Sequence, residues 1–172
     1  KVRSALRDGI DSNDTSGWWD NLQAPRVLHN LHGITGIVNT DAPTWLTEAH
    51  RDGHMLAGVW NFPDLPARDK QATAIADWYV SFFIEAFRLM ANVAAAGAHS
   101  GEFQATATLV KANMLRYAAR NSAGYAGVTG EQCLSQNVQW SIQGAPIGSA
   151  DWYALAKTMA QGIAGAYRAP LR

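Results

Sequence analysis

Residues 67–97 read ARDKQATAIADWYVSFFIEAFRLMANVAAAG. At helical spacing their polar side chains, Asp77, Ser81, Glu85, Arg88 and Asn92, fall on one narrow stripe. Around it stand Ile75, Trp78, Tyr79, Val80, Phe82, Phe83, Ile84, Phe87, Leu89, Met90 and Val93. A surface helix normally has an apolar face of roughly 100° or a little more. A segment apolar on nearly all sides is therefore expected to be covered around most of its circumference. Its neighbours are either the other helices of its own bundle or a second copy of the chain. Trp78, Phe82, Phe83 and Phe87 are its candidate core or assembly residues.

Downstream, Gly97 is the natural stop of this helix. Ser100 is an N-cap, with Glu102 placed where a carboxylate meets the positive end of the dipole. Phe103, Ala107, Val110, Met114 and Tyr117 recur at helical spacing and predict a helix to about residue 121. Gly124 to Gly130 reads as a loop, and Thr129 with Gln132 as a capping box for a short helix through Cys133. Residues 139–148 are ambiguous, with room for a short extended piece. Ser149 caps a last helix striped by Trp152, Leu155, Met159, Ile163 and Tyr167. Its small residues Ala160, Gly162, Ala164, Gly165 and Ala166 would let another helix approach closely.

Upstream, Asp41 and Pro43 open a helix over 44–60. Pro25 opens another through Val27, Leu28, Leu31 and Ile34. Residues 1–17 read as an arm or short helix that ends in a run of turn formers, followed by a single domain over 18–172. No run alternates at period two with turn signals on both sides. The expectation is an all-α fold: a bundle of five or six helices around the 67–97 helix.

Only 16 % of the 172 residues are charged, against 48 % hydrophobic, and seven are Trp. Such a surface suits a subunit that buries much of its exterior, so self-association is expected. Net charge is zero but uneven. Residues 1–102 hold eight Lys/Arg against twelve Asp/Glu, and residues 103–172 hold six against two. The pI near 7.1 excludes the strongly basic footprint common among nucleic-acid-binding domains. Cys133 is the single cysteine, which excludes an internal disulfide and CxxC metal or haem motifs. No uninterrupted apolar run reaches the ~18–20 residues of a membrane span, so no transmembrane segment is expected. The chain opens at Lys1 and not Met, and N-terminal processing is the expectation.

Three sets of residues could carry chemistry. Between Glu102 and Glu131 the only charges are Lys111, Arg116 and Arg120. On a helix, Arg116 and Arg120 would reach the same phosphate backbone. With Lys1, Arg3 and Arg7 of the arm, they form a candidate sequence-independent nucleic-acid face. His29 and His32 stand three apart, and His50 and His54 four apart. On helices, each pair would share a face and could hold a divalent metal inside a bundle. The glycines at 124, 127 and 130 precede a helix start, where N–H groups can hold a phosphate, but neither phosphate-loop motif is present. No nucleophile motif appears.

Phe62-Pro63-Asp64, Ala76-Asp77-Trp78 and Phe82-Phe83 together resemble the segment leading to the aspartate-rich motif of bacterial terpene synthases. That family ends the helix in paired aspartates that bind magnesium. This chain reads Ile84-Glu85-Ala86-Phe87 there, with one acid, so no catalytic residue is carried over. The resulting expectation is a structural, self-assembling subunit of coat or filament type that packs on nucleic acid and needs no cofactor. The alternative is a small-molecule binder or metal-dependent enzyme, with a Trp/Phe-lined pocket between helices and histidine ligands.

Overall fold

The computed structural model describes residues 1–8, 26–38, 44–60, 73–97, 99, 101–120, 126–128, 130–144, 146 and 151–169. Helix α1 (Val2–Asp8) precedes four strands: β1 (Arg26–His29), β2 (Gly33–Val38), β3 (Thr44–His50) and β4 (Met55–Trp60). These pair in chain order as an antiparallel meander. Strand β5 (Thr73–Ile75) leads directly into helix α2 (Ala76–Ala96). Then come β6 (Gln104–Val110), a single 3-10 turn (Ala112–Met114), β7 (Arg116–Arg120), β8 (Ala126–Val128), β9 (Asn137–Gln143) and helix α3 (Trp152–Ala166). Strand β7 pairs parallel with β5 and antiparallel with β8, while β6 and β9 form an antiparallel pair.

The fold is therefore mixed α/β, with three helices among the described residues, and not the expected all-α bundle of five or six. Three stretches expected as helices are strands. Residues 26–38 form β1 and β2, residues 44–60 form β3 and β4, and the segment after Phe103 forms β6 and β7. The helix expected over 67–97 starts at Ala76, after a strand over Thr73–Ile75. Gln132 and Cys133 lie in irregular chain and not in a short helix. The turn formers before residue 18, Ser100, residues 121–125, Thr129 and Ser149 lie outside the described residues.

The physical reason is visible in the burial. Along β3, Trp45, Thr47 and Ala49 are buried while Leu46, Glu48 and His50 are half-buried, the period-two alternation of a strand with one covered face. Strands β6 (QATATLV) and β9 (NVQWSIQ) alternate perfectly between exposed and half-buried positions. Their outer face is a polar ladder in which Thr106 and Ser141 hydroxyls lie 2.8 Å apart. The β3–β4 hairpin closes through Arg51-Asp52-Gly53. His50 N–H donates to the His54 carbonyl (2.9 Å), and Gly53 takes the left-handed conformation at φ 91°. A three-residue loop with glycine at that position is a standard hairpin connection.

Helix α2 packs against α1, α3 and β7. Tyr79, Phe82, Phe83, Ala86, Phe87, Leu89, Val93 and the fully buried Glu85 all sit inside this one chain. Phe87 stacks on Trp152 and approaches Phe83 and Phe103, with ring centroids 6.1–6.4 Å apart. Trp78–Ala96 is long and apolar enough to cross a bilayer, but it is more than half buried in its own chain. That is the behaviour of a core helix, and no clear membrane-spanning segment stands among the described residues.

Helix α3 begins at Asp151, whose carboxylate accepts from the Ala154 N–H at 3.0 Å. Several of its small residues have intrachain uses. Ala156, Ala160 and Ala164 are buried on the face that meets α2. Gly162 lets the Trp140 indole approach and donate to the Met159 carbonyl at 2.9 Å. A Cβ at 162 would lie 2.4 Å from Trp140 Nε1, so this pair ties β9 to α3. Tyr167, just past the helix, is fully buried, stacks on Tyr117 and donates its hydroxyl to the Ala112 carbonyl at 2.9 Å.

Candidate functional site

The five histidines do not gather into one cluster, because two of the four in the predicted pairs sit on strands and two at turns. Alternation sends neighbouring strand residues to opposite sheet faces. His50 pairs across from Gly33 at the end of β2 and β3. On the same sheet face lie Thr35 and Glu48, which are direct cross-strand partners. Thr35 donates its hydroxyl proton to Glu48 Oε1 at 2.9 Å, and Glu48 Oε2 lies 2.9 Å from His50 Nε2. Asn30 donates its amide to Thr35 Oγ1 at 2.6 Å and accepts the His32 and Gly33 N–H groups on its carbonyl oxygen. The His32 ring stacks on His50 at 5.7 Å. The β1–β2 turn is thus organised by one asparagine, and the Glu48 carboxylate anchors it to β3.

The His50 hydrogen bond, aided by the one from Thr35, holds the Glu48 carboxyl below its ordinary value of 4.5, against an opposing push from partial burial. A carboxyl depressed by folding stabilises the folded chain above its unfolded value. It loses that contribution as pH falls through the lowered one. Glu48→Gln should therefore flatten the acid side of the stability profile below the ordinary value of 4.5. For a pair this accessible to solvent the change is under about 1 kcal/mol. Urea unfolding of both proteins across that range checks it, and parallel profiles would contradict the assignment. At the next turn, His54 Nδ1 lies 3.0 Å from the Asp52 carboxylate in an exposed pair, and that hydrogen bond likewise lowers Asp52.

On the other face of the meander a cavity of about 290 Å³ opens between the sheet end, α1 and the last turn of α2. Its floor is Ile34, Ala49, Met55 and Val93, with Val2 closing one side. Ile34, Ala49 and Met55 belong to one cross-strand row with His29. His29, Arg51 and His99 supply the polar groups of the wall, and Gly33, His50 and Gly53 complete it. The His50 ring is held on the opposite face by Glu48, so at the cavity it is the strand end of His50 that forms wall. His99 is placed by the end of α2. Its N–H returns to the Ala94 carbonyl at 2.8 Å, a six-to-one bond that closes the helix. Its ring lies over Gly97 and Gly53, where Cβ atoms would come within 2.8 Å and 3.8 Å of it.

The predicted metal pairs are therefore split three ways. His29 is at the cavity, His32 and His50 are in the Glu48 network, and His54 is on Asp52. Among the described residues no three His, Cys, Asp or Glu side chains come together to hold a metal ion. Among the described residues no Trp or Phe lines the cavity, which lies between the sheet end and helices α1 and α2 and not between the helices of a bundle. Neither His99 nor Arg51 belongs to any of the residue sets that the sequence marks out for chemistry. The Asp52-Gly53 turn signal would have located Arg51 at a hairpin tip.

The candidate nucleic-acid residues fall on separate elements. Lys1, just before α1, and Arg3 on it are exposed, and Arg3 donates to the Val27 carbonyl at 3.3 Å. Lys111 and Arg116 are exposed on either side of the 3-10 turn that packs on β9. Arg116 and Arg120 lie on strand β7, not on a helix. Four strand residues separate their backbones by about 13 Å in place of one helical turn. The side chains of Arg7 and Arg120 lie outside the described residues. Trp78 is half-buried in α2, and Phe82, Phe83 and Phe87 are buried there. Compared with known proteins, the chain matches no family model, no curated protein and no solved structure.

Proposed function

We propose that this domain binds a small organic molecule in the cavity between the meander and the end of α2. One observation carries the reading: three chain segments far apart in sequence bring His29, Arg51 and His99 to the wall of one apolar-floored hollow. A few placed polar groups around an apolar floor is the usual make-up of a ligand pocket. At about 290 Å³, the hollow stands just under the ~300–1,000 Å³ of ordinary pockets, so its occupant is small. The wall carries hydrogen-bonding and ionic groups suited to holding a polar head group.

A ligand-detected NMR screen of small organic fragments tests this. Fragments should compete for one site in the native protein and lose binding in Met55→Trp, where an indole fills the floor. Met55 is only partly buried, so the larger ring can enter the open volume without repacking the core. Fragments that bind equally well to Met55→Trp, or no binding at all, would refute the reading.

Self-association is a second reading, and one observation supports it. Leu28 and Leu56 are each 49 % exposed, and Leu31 is 86 % exposed. Leu28 and Leu56 flank Thr35 and Glu48 in one cross-strand row. Exposed leucines gathered on one sheet face are apolar area that the core of an interface would bury. The native mass of the purified chain decides it: a dimer or larger that Leu28→Glu with Leu56→Lys makes monomeric supports it, and a monomeric native protein removes it.

A further inference from the structure

The polar wall of the cavity is one-sided in charge. Its titratable and charged members are His29 from β1, Arg51 from the β3–β4 turn and His99 from beyond α2, besides the strand end at His50. Among the described residues no Asp or Glu lines it. The carboxylates on β3 and its turn are committed elsewhere, Glu48 to the His50 ring on the opposite sheet face and Asp52 to His54. Arg51 carries a permanent positive charge, and each imidazole offers at least one N–H donor in either protonation state. The C-terminal end of α2 works against an anion. Two of its last carbonyls are already taken by the Gly97 and His99 N–H groups, and the dipole effect is a fraction of a charge beside a full guanidinium. Opposite these donors stands an apolar floor of Ile34, Ala49, Met55 and Val93.

Resting on the pocket reading above, we infer that the cavity selects a small organic monocarboxylate, whose carboxylate meets Arg51, His29 and His99 while its hydrocarbon part covers the floor. Guanidinium groups match carboxylate geometry with two parallel N–H donors, and one carboxylate can take an imidazole N–H as well. A neutral amide of the same shape keeps the apolar contact but forfeits the charge-assisted bonds.

The test compares hexanoate and benzoate with hexanamide and benzamide on the native chain, followed through the imidazole proton signals. Those signals are assigned with His29→Gln, His54→Gln and His99→Gln. The carboxylates should shift the His29 and His99 signals saturably, and His54, paired outside the cavity, should stay still. Binding of the amides should be weaker by about tenfold, the scale of one charge-assisted hydrogen bond. Arg51→Gln, a change at an exposed turn position, should weaken the carboxylates by a similar factor and leave the amides unchanged.

If amides bind as tightly as carboxylates, or Arg51→Gln weakens both alike, the carboxylate inference fails and the pocket reading survives. Failure of both carboxylates to move His29 and His99 at millimolar concentration, while Met55→Trp still abolishes binding of other fragments, also overturns only the inference. No fragment of any charge binding in the cavity removes both.

Discussion

Phe83→Asp is expected to leave no folded protein. Phe83 is 8 % exposed within its own chain, and its ring lies 5.6 Å from Phe82 and 6.4 Å from Phe87. Removing a buried Phe side chain costs about 3–5 kcal/mol. A carboxylate in its place must be desolvated among aromatic rings or kept protonated, which adds several kcal/mol. The sum reaches the whole stability of an ordinary domain, about 5–15 kcal/mol. Far-UV circular dichroism and one-dimensional NMR of the purified variant read this directly. Phe83→Leu is the control: it keeps apolar volume at this position and should fold, with a loss of no more than a few kcal/mol. A soluble Phe83→Asp protein with native spectra would show that this face of α2 lies at an interface between copies, and not inside the chain.

The second large effect sits at the cavity wall. A Cβ on Gly33 would stand 2.0 Å from the Ala49 carbonyl oxygen and 2.9 Å from His50 Cα. All of the nearest atoms are backbone, so no side chain can swing away to make room. Gly33→Ala must therefore open the end of the β2–β3 pairing, where Gly33 faces His50. Overpacking of this kind costs about 1–3 kcal/mol, and more where backbone must move. The Asn30 turn also loses register, because Gly33 N–H donates to Asn30 Oδ1 at 2.6 Å. Gly58 on β4 is the internal comparison, since a Cβ there meets nothing within 4 Å. Urea midpoints should fall steeply for Gly33→Ala and hardly move for Gly58→Ala. Equal midpoints would show that β2 and β3 do not approach this closely. Because Gly33 and His50 both line the cavity, a surviving Gly33→Ala protein should also bind fragments poorly.

Much of what is local in this molecule was legible. Helix α2 carries its own continuous apolar surface and its stop at Gly97, and α3 carries the Trp152–Tyr167 stripe. Both signals lie within one segment and need no partner elsewhere. Two strand signals are equally local. QATATLV and NVQWSIQ alternate perfectly, but their Ala and Thr are weakly committed, and Phe103, Ala107, Val110, Met114 and Tyr117 also satisfy a helical count. Asp52-Gly53 marks a hairpin tip, but the helical reading of 44–60 ran straight through it. In Val27–Ile34, short apolar runs fit either period, and pairing with β3 settles the matter.

The functional arrangement was not legible at all. His29 and His99 are seventy residues apart, and nothing in either neighbourhood points to the other. His50 and His54 are close in sequence, but one faces Glu48 and the other Asp52. What the residue order sets alone is where the chain can be helical and where it must turn, because backbone conformation and apolar periodicity act over a few residues. Which strands pair, which face of each is covered, and which histidines share a wall depend on contacts between distant segments. Those contacts exist only once the chain has closed on itself, and the cavity is one of their products.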